Sequence, residues 1–346
     1  MGKAKYYNWI DSVKIIGLYL MILGHGNLVS NEIRLHIYNF HMPLFFILSG
    51  MLYYSRKGID CDRNIKESLL KCVKSLLIPY FMINIVCLFY YIVSGLIFDG
   101  GGNFNVDFFV SRIGAVLIGL GYNSGYWIPI CPPSWFLYVL FLCKIFLIII
   151  DVENLKSVYL VFIIFGSFSF SILKNYYEFD FLFPIDSVML ALPFVLLGFK
   201  YRSYLLLERK LKNKLLLILV SLIIFLLLGN INTFNGRVDL DLAFYGESLI
   251  LFYIVAFAGS LFLIEFCKLI KYKFRLISYL VSGSTLIVGF NLIFVYYAGK
   301  IFNIPIINYL NHNLVGFCVA FIILILFYPM ILFAKSYLPS ILGYRK

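Results

Sequence analysis

The chain has 346 residues, of which 62% are hydrophobic and only 13% charged, with a mean hydropathy of +0.93. No soluble domain hides that much apolar surface, and the composition reads as an all-α polytopic membrane protein. The formal charge of +12 falls in short loops between apolar runs, a pattern of membrane topology that argues against a nucleic-acid partner.

The first apolar run, about 10–28, is long enough for a crossing, which takes about 20 helical residues. It is interrupted by Lys14 and followed by Gly24-His25-Gly26 instead of a small-residue cleavage site, so it is expected to remain as the first span. The second span is predicted at about 37–55 and the third at about 75–98. A glycine-rich break follows at Asp99 to Asn103. The stretch 107–120 is short for a crossing and is left open between a spanning and an interfacial helix. Further spans are predicted at about 133–150, 157–173, 184–200, 213–229, 247–266, 277–298 and 312–334. This gives about ten transmembrane helices in a single domain over residues 1–346.

The loop charges give the orientation. With the N-terminus cytoplasmic, 22 basic residues fall inside and five outside: Arg34, Arg112, Lys174, Arg237 and Lys300. A missed helix would scramble that alternation, so both termini are expected on the cytoplasmic side. The seven cysteines form no CxxC pair and no CxxC-to-His spacing. Neither a disulfide framework nor a metal site is indicated.

Four polar residues stand inside the first two apolar runs: Asp11, Lys14, His25 and His41. Charge in a membrane span is costly and points to function by default. Lys14 and His25 are eleven residues apart, within about 20° of one helical face and roughly 16 Å along the axis. Lys14 would then lie near the cytoplasmic mouth and His25 in the outer half. Asp11, one turn before Lys14, is placed to pair with it. Lys71 and Lys74, at i and i+3 before a helix entrance, suit an anion carrying several phosphates. Asp186 and Glu247 stand at the outer starts of two spans, where a carboxylate meets either a ligand or only the helix dipole. Arg237, Asp239 and Asp241 are expected in a solvated loop.

The stretches "IDSVKIIGLYLMILGH" and "FHMPLFFILSGML" resemble the opening of the acyltransferase-3 family of integral membrane acyltransferases. The family's Arg or Lys, ten residues, then His is matched by Lys14 and His25. "KCVKSLLIPY" is similar to its paired basic residues, at Lys71 and Lys74, and "SWFLYVLFLCKIF" to its Trp-Phe-Leu segment, which includes Trp135. "ISYLVSGSTLIVGFN" resembles a late segment that commonly reads Gly-Lys-Asn-Ser and ends in His. Here Ser284 keeps the serine, Val281 replaces the glycine and Asn291 the histidine.

The resemblance implies transfer of an acyl group, usually acetyl, from cytoplasmic acyl-CoA to a hydroxyl of an extracytoplasmic or lipid-linked sugar. It implies a multi-pass protein of the bacterial inner membrane, with membrane lipid around it. His25 is then the expected general base, since imidazole titrates near working pH. Asp11, Lys14 and His41 complete the catalytic candidates. Lys14, Lys71 and Lys74 are the expected holders of the acyl-CoA phosphates. His41, Trp135, Glu247 and Asn291 are candidates for the carbohydrate acceptor. A transporter or flippase of a glycan would also carry many spans and a few buried charges. It would show paired halves with broken helices, and the sequence has no such internal repeat.

Overall fold

The computed structural model describes residues 7–26, 28–53, 65–98, 104–177, 183–234, 236–272, 274–302 and 312–343. Among them the fold is all-helical, and only two isolated bridges, Ser124 with Trp127 and Asp239 with Phe244, are extended pairings. Each of the ten predicted spans contains a helix. Seven are long and apolar enough to cross a bilayer. The exceptions are α1 (Asn8–Gly24), α2 (Asn31–Met51) and α8 (Ile185–Lys200). α1 and α8 are short, at 17 and 16 residues. α2 carries Glu32, Arg34, His36, Asn39 and His41.

The exceptions have a common physical reason, because all three pack inside the bundle. α1 is surrounded by α2, α11 (Leu249–Cys267), α12 (Arg275–Val281), α13 (Ser284–Phe302) and α14 (His312–Tyr337). α2 packs on α1, α8, α11 and α10 (Leu211–Asn232). A helix enclosed by other helices needs no apolar face toward lipid and tolerates polar side chains with partners. α7 (Ser157–Tyr177) and α10 are the reverse case. Only 22% of each apolar window is buried, against 61% for α11, so they form the lipid-facing rim.

α2 and α8 cross at glycines. A Cβ at Gly50 would collide with the Val195 carbonyl, and one at Gly198 with the Ile47 carbonyl. Small residues let the two backbones touch, the packing mode available where lipid supplies no hydrophobic drive between helices. This contact fixes α2, and with it His41, against α8.

α3 (Ile65–Cys72) runs through a π turn at Val73–Leu77 into α4 (Ile78–Phe98). The cause is Pro79, which has no N–H for the Ser75 carbonyl and would crowd it in a regular turn. The chain widens instead, and the Ile78 N–H reaches back to the Val73 carbonyl. The wider turn begins between the paired lysines. Lys71 is half-buried and Lys74 exposed.

The open stretch 107–120 forms α5 (Val106–Ile118), capped by the Asn105 side chain on the Phe108 N–H and ended by Gly119 at φ +79°. Thirteen residues span roughly 20 Å, short of the ~30 Å hydrocarbon core. α6 (Trp135–Ile149) follows a 3-10 turn at Pro132–Ser134 and packs on α3, the π turn and α8.

At the opposite end of the bundle from α5, one buried carboxylate gathers two cations. Glu265, in the last turn of α11, accepts from Arg209 at 2.6 Å and from Lys268 at 2.7 Å. The Lys268 ammonium also donates to the Leu207 carbonyl at 3.2 Å and lies 5.3 Å from the Trp9 ring centroid. The loop before α10 is thereby tied to α11 and α1.

Candidate functional site

His25 lies just past α1, in extended conformation (φ −82°, ψ 138°), with its N–H still bonded to the Met21 and Ile22 carbonyls. The helical-face relation to Lys14 therefore stops at Gly24, and the chain turn sets where the imidazole points. Nδ1 of His25 meets Oδ1 of Asn291 on α13. The roles in this contact follow from the other side of the amide. Asn291 Nδ2 donates to the Ile287 carbonyl at 3.0 Å and to the Val288 carbonyl at 2.7 Å. That assigns Oδ1 as the acceptor, so His25 Nδ1 carries the proton and Nε2 the lone pair.

His41 sits mid-way along α2, buried, because the helix begins six residues earlier than the apolar run alone suggests. Its Nδ1 lies 2.8 Å from the Ile37 carbonyl, which can only accept. His41 therefore also presents Nε2 as an open lone pair. It is within electrostatic reach of His25. Neither Nε2 has a hydrogen-bond partner among the described residues, and neither is sealed from solvent. Two imidazoles with matched tautomers thus face the same region.

The loop 236–248 closes over this region instead of standing in solvent. Val238, Leu240 and Ala243 are buried, and Asp239 exchanges two backbone hydrogen bonds with Phe244. Lys174 donates to the Leu242 carbonyl at 3.1 Å, and Ser187 to the Asp241 carbonyl at 2.9 Å. Asn232 bridges Asn39 Oδ1 at 3.0 Å and the Tyr245 carbonyl at 3.1 Å, joining the loop to α2. Arg237 pairs with Asp239 and stacks on Tyr38, 4.3 Å from its centroid. The Tyr38 ring meets His41 edge to face, centroids 5.0 Å apart. Both Arg237 and Asp239 act electrostatically on His25.

Asp241 packs where Gly121 leaves room beside Trp135, since a Cβ on Gly121 would meet its carboxylate and the Trp135 Cβ. Burial, then the charges of Asp239 and Asp186, push the Asp241 carboxyl well above the usual carboxylate range. Trp135 is buried at the head of α6. The preceding turn is fixed to α13 by the Cys131 thiol, which donates to the Gly289 carbonyl at 3.0 Å, two residues from Asn291.

Of the predicted residues, one group comes together. His25, His41 and Asn291 converge, with Trp135 beside the loop that covers them. The lysines form no such group: Lys14 has Asp11 in electrostatic reach, Lys71 stands just before the π turn and Lys74 within it. Glu247 is exposed, and its N–H donates to the Asn232 carbonyl at 3.0 Å. Sequence reasoning missed Asp241 and its loop, although the alternation of Val238 and Leu240 with aspartates is the signal of a half-buried segment.

Residues 7–331 match the family profile for the acyltransferase domain of the acyltransferase-3 type. The chain belongs to the acyltransferase-3 family. Neither the curated proteins nor the solved structures give a match. Family membership and the seven apolar helices make this acyltransferase-3 member an integral multi-pass membrane protein of the acyltransferase class.

In this acyltransferase-3 member Asn291, which ends the segment resembling the family's late motif, holds its amide oxygen against His25 Nδ1. Asn291→Leu is expected to lower turnover by about tenfold or more, with donor affinity unchanged. Nδ1 would lose the acceptor that fixes the tautomer. A steady-state comparison checks this, and a variant that turns over like wild type removes Asn291 from the site.

Proposed function

We propose that this protein transfers an acyl group, most simply acetyl, from cytoplasmic acyl-CoA to a hydroxyl of an extracytoplasmic or lipid-linked sugar. The observation that carries the reading is the His25–Asn291 contact, which leaves Nε2 of His25 as an open lone pair. His25 Nε2 takes the proton of the acceptor hydroxyl as its oxygen attacks the thioester carbonyl. The C–S bond then breaks, the ester leaves with the sugar, and the CoA thiolate takes up the proton. His41 Nε2 accepts a second sugar hydroxyl. Trp135 offers a ring face to the sugar, Asp241 a hydrogen-bonding carboxyl, and Glu247 a contact at the surface.

Lys14, Lys71 and Lys74 hold the phosphates of the donor, and Asp11 keeps Lys14 charged. The ten crossings follow if the enclosed α1, α2 and α8 are counted with the seven apolar spans; an even count puts both termini on one side, and the basic loops make that side the cytoplasm. The whole of residues 1–346 then forms one transmembrane acyltransferase domain in a bacterial inner membrane.

The test is thiol release. Purified protein in nanodiscs is given acetyl-CoA and a lipid-linked glycan, and free CoA is measured against time. Glycan-dependent thiol release with acylated glycan is the expected result. A protein that only moved glycan across the membrane would bind it and leave acyl-CoA intact.

A further inference from the structure

We infer that Arg34 and Arg237 flank the Tyr38 ring as an anion clamp, and that the acceptor sugar carries a carboxylate or phosphate group for them to hold. The clamp rests on the acyltransferase reading above and narrows its acceptor to an acidic sugar. Basic residues are scarce on the side read as outer, five against 22, so each one there calls for a reason. Three have a task elsewhere. Arg112 lies on the Phe108 ring of its own helix, and Lys300 on that of Tyr296. Lys174 holds the loop at the Leu242 carbonyl. Arg34 and Arg237 come from different elements and border the two histidines.

Arg34, Tyr38 and His41 stand at i, i+4 and i+7 on α2, one stripe of the helix about 10 Å long. That stripe lies along the end of α1. Arg34 donates to the Gly26 carbonyl at 3.4 Å, on one side of His25. The Tyr38 ring lies on Gly24, on the other side, where a Cβ would come within 3.2 Å of it. The same ring meets His41 edge to face, and Arg237 covers it from the loop, 4.3 Å from its centroid. Tyr38 is therefore the surface shared by both imidazole positions and by the second guanidinium.

Arg237 is not used up by its partners. One amino group, Nη2, pairs with Asp239. Among the described residues Nε and Nη1 donate to nothing, and the side chain is 39% exposed. Asp239 is fixed in turn by the Asp241 N–H at 3.3 Å, so it aims the guanidinium. The loop is already held by Lys174, Ser187 and Asn232, and closing it does not require Arg237. A carboxylate or phosphate is the partner that best fits a planar fork of N–H donors. A sugar held there by its acid group lies over Tyr38, with the imidazoles on either side of the ring in reach of its hydroxyls.

The experiment uses full-length protein in nanodiscs, titrated by calorimetry with glucuronate, glucose 1-phosphate and glucose. At least one of the two anionic sugars is expected to bind about tenfold or more tightly than glucose, the worth of one exposed charge-assisted contact. The preference should shrink in about 0.5 M salt, which screens an exposed charge. Arg237→Gln should bring the anionic and neutral sugars to within about threefold of each other and melt at the wild-type temperature, since an exposed ion pair adds little stability. Arg237→Lys should keep part of the preference, because the charge stays and the fork goes. Should Arg237→Gln melt early, Arg34→Gln carries the test and must lower the same preference.

A preference for glucuronate alone supports the clamp with the acid on the sugar, and one for glucose 1-phosphate alone supports it with the acid in a phosphate linkage. Equal binding of all three probes, no binding of either acid, or a preference that both glutamine variants keep overturns the clamp and leaves acyl transfer standing. Anion-selective binding without glycan-dependent thiol release sinks the acyltransferase reading instead and leaves the clamp.

Discussion

His25→Gln is expected to transfer acyl groups about 10²–10⁴-fold more slowly than wild type, the usual contribution of a general base. Glutamine fills similar space and still donates and accepts hydrogen bonds, so the contact with Asn291 Oδ1 can persist. What it lacks is the Nε2 lone pair that accepts a proton near neutrality. A histidine that merely joined α1 to α13 would tolerate the change. The variant should still insert and should bind acyl-CoA as wild type does, because Lys14, proposed to hold the donor phosphates, lies roughly 16 Å away along α1. Measured kcat, with donor affinity as the control, decides the matter. A near wild-type rate would move the base to His41, whose Nε2 is the other open lone pair.

Glu265→Leu is expected to destabilise the fold by about 3–5 kcal/mol, the cost of removing one partner from a buried ion pair. The Glu265 and Lys268 side chains are fully buried and that of Arg209 is 10% exposed, so neither cation can turn to water without opening the loop before α10. Replacing Arg209 and Lys268 by Met alongside Glu265→Leu should recover most of the loss, because buried pairs exchanged for apolar groups are often neutral. Thermal unfolding followed by intrinsic fluorescence checks both, and Trp9 beside Lys268 is a local reporter. A single variant that melts with wild type would show that the carboxylate carries no load.

Hydropathy alone located a helix in every predicted span, because the pattern is local and the bilayer imposes it. It did not say where α2 begins. Asn31, Glu32, Arg34 and His36 interrupt the apolar pattern there, so hydropathy starts the span later than the helix does. The π turn was equally hidden, although Pro79 after Lys74 was its cause. Lys14, His25 and His41 stood out as charge in apolar runs. Asp241 was read as solvated because a charged loop usually is. Lys174 and Ser187, on α7 and α8, pull it inward, and partners so distant in sequence leave no local trace. Asn291 was noticed only as a departure from a motif. Its task needed the two carbonyls that orient its amide.

The His25–Asn291 contact joins residues 266 positions apart. At ribosomal speeds of about 5–20 residues per second, on the order of 13–53 seconds of synthesis separate the imidazole from the amide that orients it. During that interval α1 and α2 have emerged with their polar groups and without α11, α13 and α14 to enclose them. Early helices of this kind are poor candidates for unaided release into lipid. They have to be kept in a protected setting, against the insertion machinery or against each other, until the last third of the chain arrives. The bundle is therefore completed from its enclosed helices outward in time, and a chain interrupted before α13 carries its histidine without the group that gives it a defined proton.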